Sequence, residues 1–205
     1  MSLTYNPAAV TNALGTFYAT SDGAVQGFYQ DDPAIRFQLR SGLVAPTAAA
    51  MWGGEGISVS GPSAGIEAQS FKAILSLATS QANLMGFTVF NQAHAMVLNP
   101  SVSTPVPLAA AGASPNPGGA INFFLLGSNA QIWVQCAAAV AAAYKGGAYN
   151  LATYWDYTNQ VLLSAPGGTA IGVEVVDVMT NGNSAVVAAG GNSWNYAGYA
   201  ALIKI

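Results

Sequence analysis

One histidine and one cysteine bound the nucleophilic chemistry open to this chain. A Ser-His-Asp or Cys-His arrangement would have to use His94. That residue stands in NQAHAMVL with no carboxylate near it in sequence, so it reads as a hydrogen-bonded strand or loop histidine. Cys136 reads as a small buried hydrophobe, and a lone cysteine allows neither an internal disulfide nor a thiolate metal cluster. Glu174 and Asp177 lie three apart on a predicted strand, where alternation sends them to opposite faces and denies them an acid–base pairing. Asp22, Asp31 and Asp32 lack calcium-loop spacing, and a calcium ion takes roughly six to eight oxygens. They read as turn residues. The glycines at 53, 54 and 56 do not keep the GxGxxG order, and Lys145-Gly146-Gly147 does not keep the order of a phosphate-binding loop. The sequence therefore points to no catalytic residue, metal ligand or cofactor site, and leaves a hydrolase built on carboxylates brought together in space as an open alternative.

Aromatic residues mixed with amides are the stronger signal. Tyr154, Trp155 and Tyr157 surround one turn, and Trp194, Asn195, Tyr196 and Tyr199 stand near the C-terminus. Such clusters suit carbohydrate, and they also suit protein interfaces. Trp52 and Trp133 read as core or interface anchors.

The background is short of charge. Charged residues make up 6% of the 205-residue chain, where about 25% is usual. Between Lys72 and Lys145 there is no Asp, Glu, Lys or Arg, while Asn, Gln, Ser and Thr supply 51 residues of the chain. Weakly charged surfaces tend to associate, so much of this surface is expected to lie against copies of itself or a larger partner, with a neutral monomer coated in amides and hydroxyls as the alternative. Five cations and a net charge of −3 do not make a basic groove for nucleic acid or a polybasic membrane patch. The amino-terminal stretch MSLTYNPAAV has no basic or apolar region of the kind a signal peptide needs. Assembly in a cytoplasm is the expectation.

The elements that must position these residues read as mainly β. Residues 1–20 have no clear period and read as an extended N-terminal arm, ahead of a β-rich domain over 21–205. AIRFQLR (34–40) alternates, with Ile35, Phe37 and Leu39 predicted on the core side and Arg36, Gln38 and Arg40 on the other. That face reads as a solvated one, with a dock for an acidic partner as the alternative. Strands are predicted at 57–60, 87–90, 95–98, 121–126, 130–135, 149–155, 160–163, 172–179 and 199–205. The spacing of Phe71, Ile74, Leu75 and Ala78 predicts one short helix over 66–81. Residues 99–120 hold five of the ten prolines and read as a long loop that could separate two lobes. Gly127-Ser128-Asn129 reads as a hairpin connection, Asp156 to Asn159 as a turn with Asn159 at positive φ, and Asn181-Gly182-Asn183 as another turn.

The alanine-rich run at 134–147, VQCAAAVAAAYKGG, has an uncharged apolar core of nine residues, Cys136 to Tyr144. A membrane span needs about 20. Between strong strands the run reads as an extended or irregular passage of close packing, with a one- to two-turn helix as the alternative. The whole pattern gives a barrel or sandwich of short antiparallel strands.

GFYQDDPAIRF, MWGGEGISVSGP, GFTVFNQAHAMVL, INFFLLGSNAQIWVQ and the terminal WNYAGYAALIKI follow one another in an order that resembles the capsid decoration, or cement, proteins of tailed bacteriophages. The likeness covers most of the chain from about residue 23 and rests on order, turn placement and composition. It implies a non-enzymatic β-rich protein assembled in the host cytoplasm and carried on the outside of an icosahedral head. Its partners would be the major capsid protein and itself, as a homotrimer, with no nucleic acid and no membrane. The candidate contact residues are Arg36, Arg40, Trp52, Trp155 and Trp194. A glycan-binding β module is the alternative.

Overall fold

The computed structural model describes residues 24–30, 32–45, 51–61, 73–89, 96–98, 101–103, 120–148, 150–165, 170–188 and 191–205. The N-terminal arm, His94, most of the 99–120 segment and the start of the predicted helix lie outside them. So do the side chains of Trp194, Asn195 and Tyr196.

The chain is mainly β, built as a closed barrel beside a second sheet. The barrel is formed by β1 (Arg40–Val44), β2 (Gly56–Ser60), β3 (Ile74–Leu77), β4 (Gly86–Val89) and β7 (Ala120–Leu125), in the order β1-β3-β2-β4-β7. It closes because β1 pairs on both edges. It runs parallel to β3, with Leu43 opposite Ile74, and antiparallel to β7, with Arg40 opposite Phe123. Val44, Met51, Ile57, Leu75, Ile121 and Phe123 fill the interior.

Residues 74–77 form β3 and not part of a helix, and 81–83 form a single 3-10 turn. Leu75 points into the barrel while Ile74 packs outside it with Leu43 and Ala45. Burial on both faces puts consecutive apolar residues in the sequence, and that mimics a helical stripe.

The second sheet contains β5 (Met96–Leu98), β6 (Ser101–Ser103), β8 (Gln131–Cys136), β9 (Tyr154–Asp156), β10 (Val161–Leu163), β11 (Glu174–Ala188) and β12 (Gly191–Lys204). Strand β12 is its spine. One edge pairs with β11 along its length; the other pairs with β8 over Tyr199–Lys204 and with β6 at Asn192 and Ser193. Residues 101–103, expected in the long loop, thus belong to a β5–β6 pairing.

The turn expected at Asn181-Gly182-Asn183 is absorbed into β11. The mismatch survives as register shifts on either side of Gly182. Residues 127–129 do not close a hairpin either: β7 stays in the barrel, and β8 starts the other sheet. With Gly127 at φ 83° and Asn129 at φ 60°, the chain turns a corner between the two sheets.

Barrel and sheet meet through one face of each. Strand β8 alternates, with Ile132, Val134 and Cys136 buried. Those residues join Ala201 and Ile203 of β12, Phe87 and Val89 of β4 and Phe124 of β7 in one apolar cluster. Gly86 makes the close approach of β4 and β7 possible, because a Cβ there would fall 2.1 Å from the Phe124 carbonyl oxygen.

The alanine-rich run gives a two-turn helix, α2 (Ala138–Lys145), so the alternative reading holds and the extended one does not. Val140 and Ala141 are buried in the shared cluster, and the small side chains let the helix backbone lie close to β11 and β12. Tertiary packing supplies the stability that so short a helix lacks alone.

Candidate functional site

The first place to look for chemistry is Glu55, which is 2% exposed. It ends the turn that leads into β2. Its Oε2 accepts a hydrogen bond from the Trp52 N–H at 2.6 Å. Thr88, inside the barrel on β4, accepts from the Glu55 N–H at 3.0 Å, and its hydroxyl donates to the Trp52 carbonyl. Burial pushes the Glu55 carboxyl up to about 8, against the smaller opposing pull of the Trp52 N–H. The group is therefore a neutral acid at pH 7. Gln26, 1% exposed, lies beside this turn, and a Cβ on Gly54 would meet its Cγ at 2.8 Å. Among the described residues its Oε1 meets no hydrogen-bond donor.

A second buried amide ties the barrel to the sheet. Gln160, 6% exposed, accepts from the Gly56 N–H of β2 at 2.9 Å and from the Trp155 indole at 3.1 Å. Its Nε2 donates to the Tyr157 carbonyl at 2.9 Å. Gln160 takes positive φ, at 55°, where the sequence pointed to Asn159. Asn159 is used otherwise: with Thr158 it donates to Asp156, whose carboxyl is held below its usual range chiefly by the Asn159 side chain. Helping Gln160 into its conformation is the fixed turn before it.

These contacts settle the places of two candidate contact residues. Trp155 is 3% exposed and packs edge-on against Phe87 at 5.0 Å between ring centroids. Trp52 is 2% exposed. Both are core residues of this chain, and Trp155 offers no open platform for a sugar ring. Cys136 is buried as expected, and burial pushes its thiol up to about 12, far from the thiolate a nucleophile requires.

The predicted strand at 34–40 is corrected at its start. Residues Pro33–Arg36 form a single helical turn, α1. Asp32 accepts from the Ala34 N–H at 2.8 Å, and Pro33 supplies the fixed φ of a first helical position. Asp-Pro was the available signal for this start. The turn changes the expected facing at one residue: Ile35 and Leu39 face the core and Arg36, Gln38 and Arg40 face solvent as expected, but Phe37 is 94% exposed. Arg40 stands at the start of β1.

The facing of Glu174 and Asp177 is corrected as well. Glu174 lies opposite Lys204 and Asp177 opposite Leu202, with a bulge between Val175 and Asp177. One extra residue restores parity, so the two carboxylates share a face. Both are exposed. The Tyr144 hydroxyl of α2 donates to the Val176 carbonyl within the bulge. A shallow cleft lies beside it, lined by Tyr144, Ala148, Asn150, Leu151, Glu174 and Val175.

Among the described residues no three His, Cys, Asp or Glu side chains converge as metal ligands. Among them, too, no helix is long and apolar enough to cross a membrane. Set against protein-family models, curated proteins and solved structures, the chain gives no match.

Proposed function

We propose that this chain is a non-enzymatic structural protein of a bacteriophage particle. It binds the outer surface of an icosahedral head and holds neighbouring major capsid protein subunits together, as a homotrimer on the shell. The observation that carries the reading is the uncharged stretch between Lys72 and Lys145. Its described parts supply three of the five barrel strands, the sheet strand β8 and nearly all of α2. A framework of packed strands that leaves Met85 and Leu126 partly exposed side by side, joined by the Leu126 N–H to the Met85 carbonyl, suits repeated contact with other protein. Buried Glu55 and Gln160 tie β2 to the Trp52 turn and to the Trp155 segment through hydrogen bonds.

Purified particles should hold the chain at a copy number near that of the major capsid protein, measured by quantitative mass spectrometry. A handful of copies, or none, would sink the reading. Particles stripped of it should release DNA at lower temperature than complete ones, and equal release temperatures would remove the clamping part. Cross-linking on the particle should give trimers. The burial of Trp155 takes it out of both the capsid contacts and the glycan platforms expected from the sequence.

A further inference from the structure

We infer that Glu55 donates its carboxyl proton to the Gln26 amide oxygen, and that this bond latches a strap, residues 24–30, across one edge of β8, so that the strap opens when Glu55 ionises. The latch stands independently of the capsid reading above.

The strap has its own set of contacts. A turn at its start is closed by the Phe28 N–H to the Val25 carbonyl at 3.0 Å, with Gly27 at φ 85°. From there the chain runs antiparallel to β8, with Tyr29 bridged to Ile132. The Gly27 N–H donates to the Trp133 carbonyl at 2.6 Å, the Trp133 N–H to the Phe28 carbonyl at 2.8 Å, and the Gln30 N–H to the Gln131 carbonyl at 2.9 Å. Strand β12 holds the opposite edge of β8.

Two unfinished groups meet under this strap. Gln26 is 1% exposed, and among the described residues its Oε1 meets no donor. Glu55 is 2% exposed, and its Oε2 is taken by the Trp52 N–H, which leaves Oε1 to carry the proton of the neutral acid. A buried O–H needs an acceptor as a buried amide oxygen needs a donor. Gly54 makes the two side chains neighbours. It directly precedes Glu55, and a Cβ on it would fall 2.8 Å from the Gln26 Cγ and 2.8 Å from the Trp133 carbonyl oxygen, the acceptor of the strap's Gly27. One proton passed from Glu55 to Gln26 satisfies both groups.

Ionisation removes that bond and sets a carboxylate against an amide oxygen, two acceptors with no hydrogen between them. The groups that face the turn are Gln26 from the strap, the Trp133 carbonyl from β8, Thr88 from β4 and the Trp52 N–H from the turn itself; none of them titrates. Burial, against the smaller pull of the Trp52 N–H, raises the carboxyl from 4.5 to about 8, and no charged side chain is among the causes. The closed strap holds a proton that the open strap, with Glu55 wetted, gives up, so closure weakens as pH rises between those two values. Opening bares the Gln131 carbonyl and both backbone groups of Trp133. Such a stretch of strand edge is a template for pairing with another chain.

Amide hydrogen exchange read by NMR, with rates corrected for the intrinsic effect of pH, tests the strap. The Gly27, Gln30 and Trp133 amides should open more readily than the most protected amides of β12. Their protection should fall on the order of tenfold per pH unit between pH 5 and pH 8. Glu55→Gln, whose amide still donates to Gln26, should hold their protection level over that range. Wild-type protection that stays level with pH, or that equals that of β12 throughout, would overturn the strap. The Glu55 carboxyl resonance in carbon-13 NMR, assigned by its loss in Glu55→Gln, tests the acceptor. Gln26→Met keeps the bulk and removes the acceptor, so the midpoint should drop by about one pH unit or more, because a bond to the neutral form is lost. A midpoint that Gln26→Met leaves in place would overturn the bond between the two side chains. Wild-type and Glu55→Gln exchange decide the strap even where Gln26→Met does not fold.

Discussion

Glu55 should make the stability of this protein fall as pH rises through neutrality. Its carboxyl is raised from 4.5 to about 8 by burial. In the unfolded chain it ionises near the lower value; in the fold it keeps its proton until the higher one. Between those values the folded state holds one more proton than the unfolded state, so stability declines with pH. The full contribution is present below about pH 4.5 and is gone above about pH 8. Each pH unit in that window is worth about 1.4 kcal/mol, giving a loss on the order of 4 to 5 kcal/mol. For a chain of this size that corresponds to a fall in melting temperature of roughly 8–20 °C. Glu55→Gln keeps an oxygen for the Trp52 N–H and cannot ionise. Its melting temperature should stay nearly flat between pH 5 and pH 9 and should exceed that of the wild type at pH 9. Calorimetry or urea titration across that range gives the answer. Wild-type and Glu55→Gln curves that run parallel from pH 5 to pH 9 would refute the assignment of a buried neutral acid.

Four further outcomes follow from the packing. Gly86→Ala should cost more than about 3 kcal/mol in urea unfolding, because the new methyl would meet a backbone carbonyl oxygen at 2.1 Å where nothing flexible can give way. Gln160→Ala should cost about 2–4 kcal/mol, since it strips the acceptor from both the Gly56 N–H and the Trp155 indole in a buried seam; a cost below about 0.5 kcal/mol would show the seam to be wetter than its burial implies. Val140→Asp should destabilise by at least about 3 kcal/mol, or prevent accumulation of folded protein, because an unpaired carboxylate would enter the core under α2. Phe37→Ser should change stability by less than about 0.5 kcal/mol, as its ring touches so little of the fold.

The readings that failed share a physical cause. The strand at 34–40 and the helix at 66–81 were both inferred from periodicity over few residues. In the first, an Asp-Pro start placed one helical turn where alternation suggested a strand, and Phe37 moved from the core side to solvent. In the second, two buried faces imitated one helical stripe, and β3 took residues 74–77. The pairing of Glu174 with Asp177 turned on a bulge, which shifts facing by one residue and leaves no mark in a run of valines. Glu55 drew no notice as a single acid between glycines. It is held by the Trp52 N–H within its own turn and by Thr88 of β4, far away in sequence.

The amino-acid sequence by itself determined that the chain would be mainly β and weakly charged. Those properties are sums over composition and local alternation, and each residue contributes to them wherever it sits. Tertiary structure alone decided that the strands divide into a closed barrel and a second sheet, that the five-residue link at 126–130 crosses between them, and which aromatic rings are buried. Those are choices of partner among strands far apart in sequence. The free energy that makes them lies in packing Ile132, Val134, Phe87 and Phe124 into one cluster, which no local window contains.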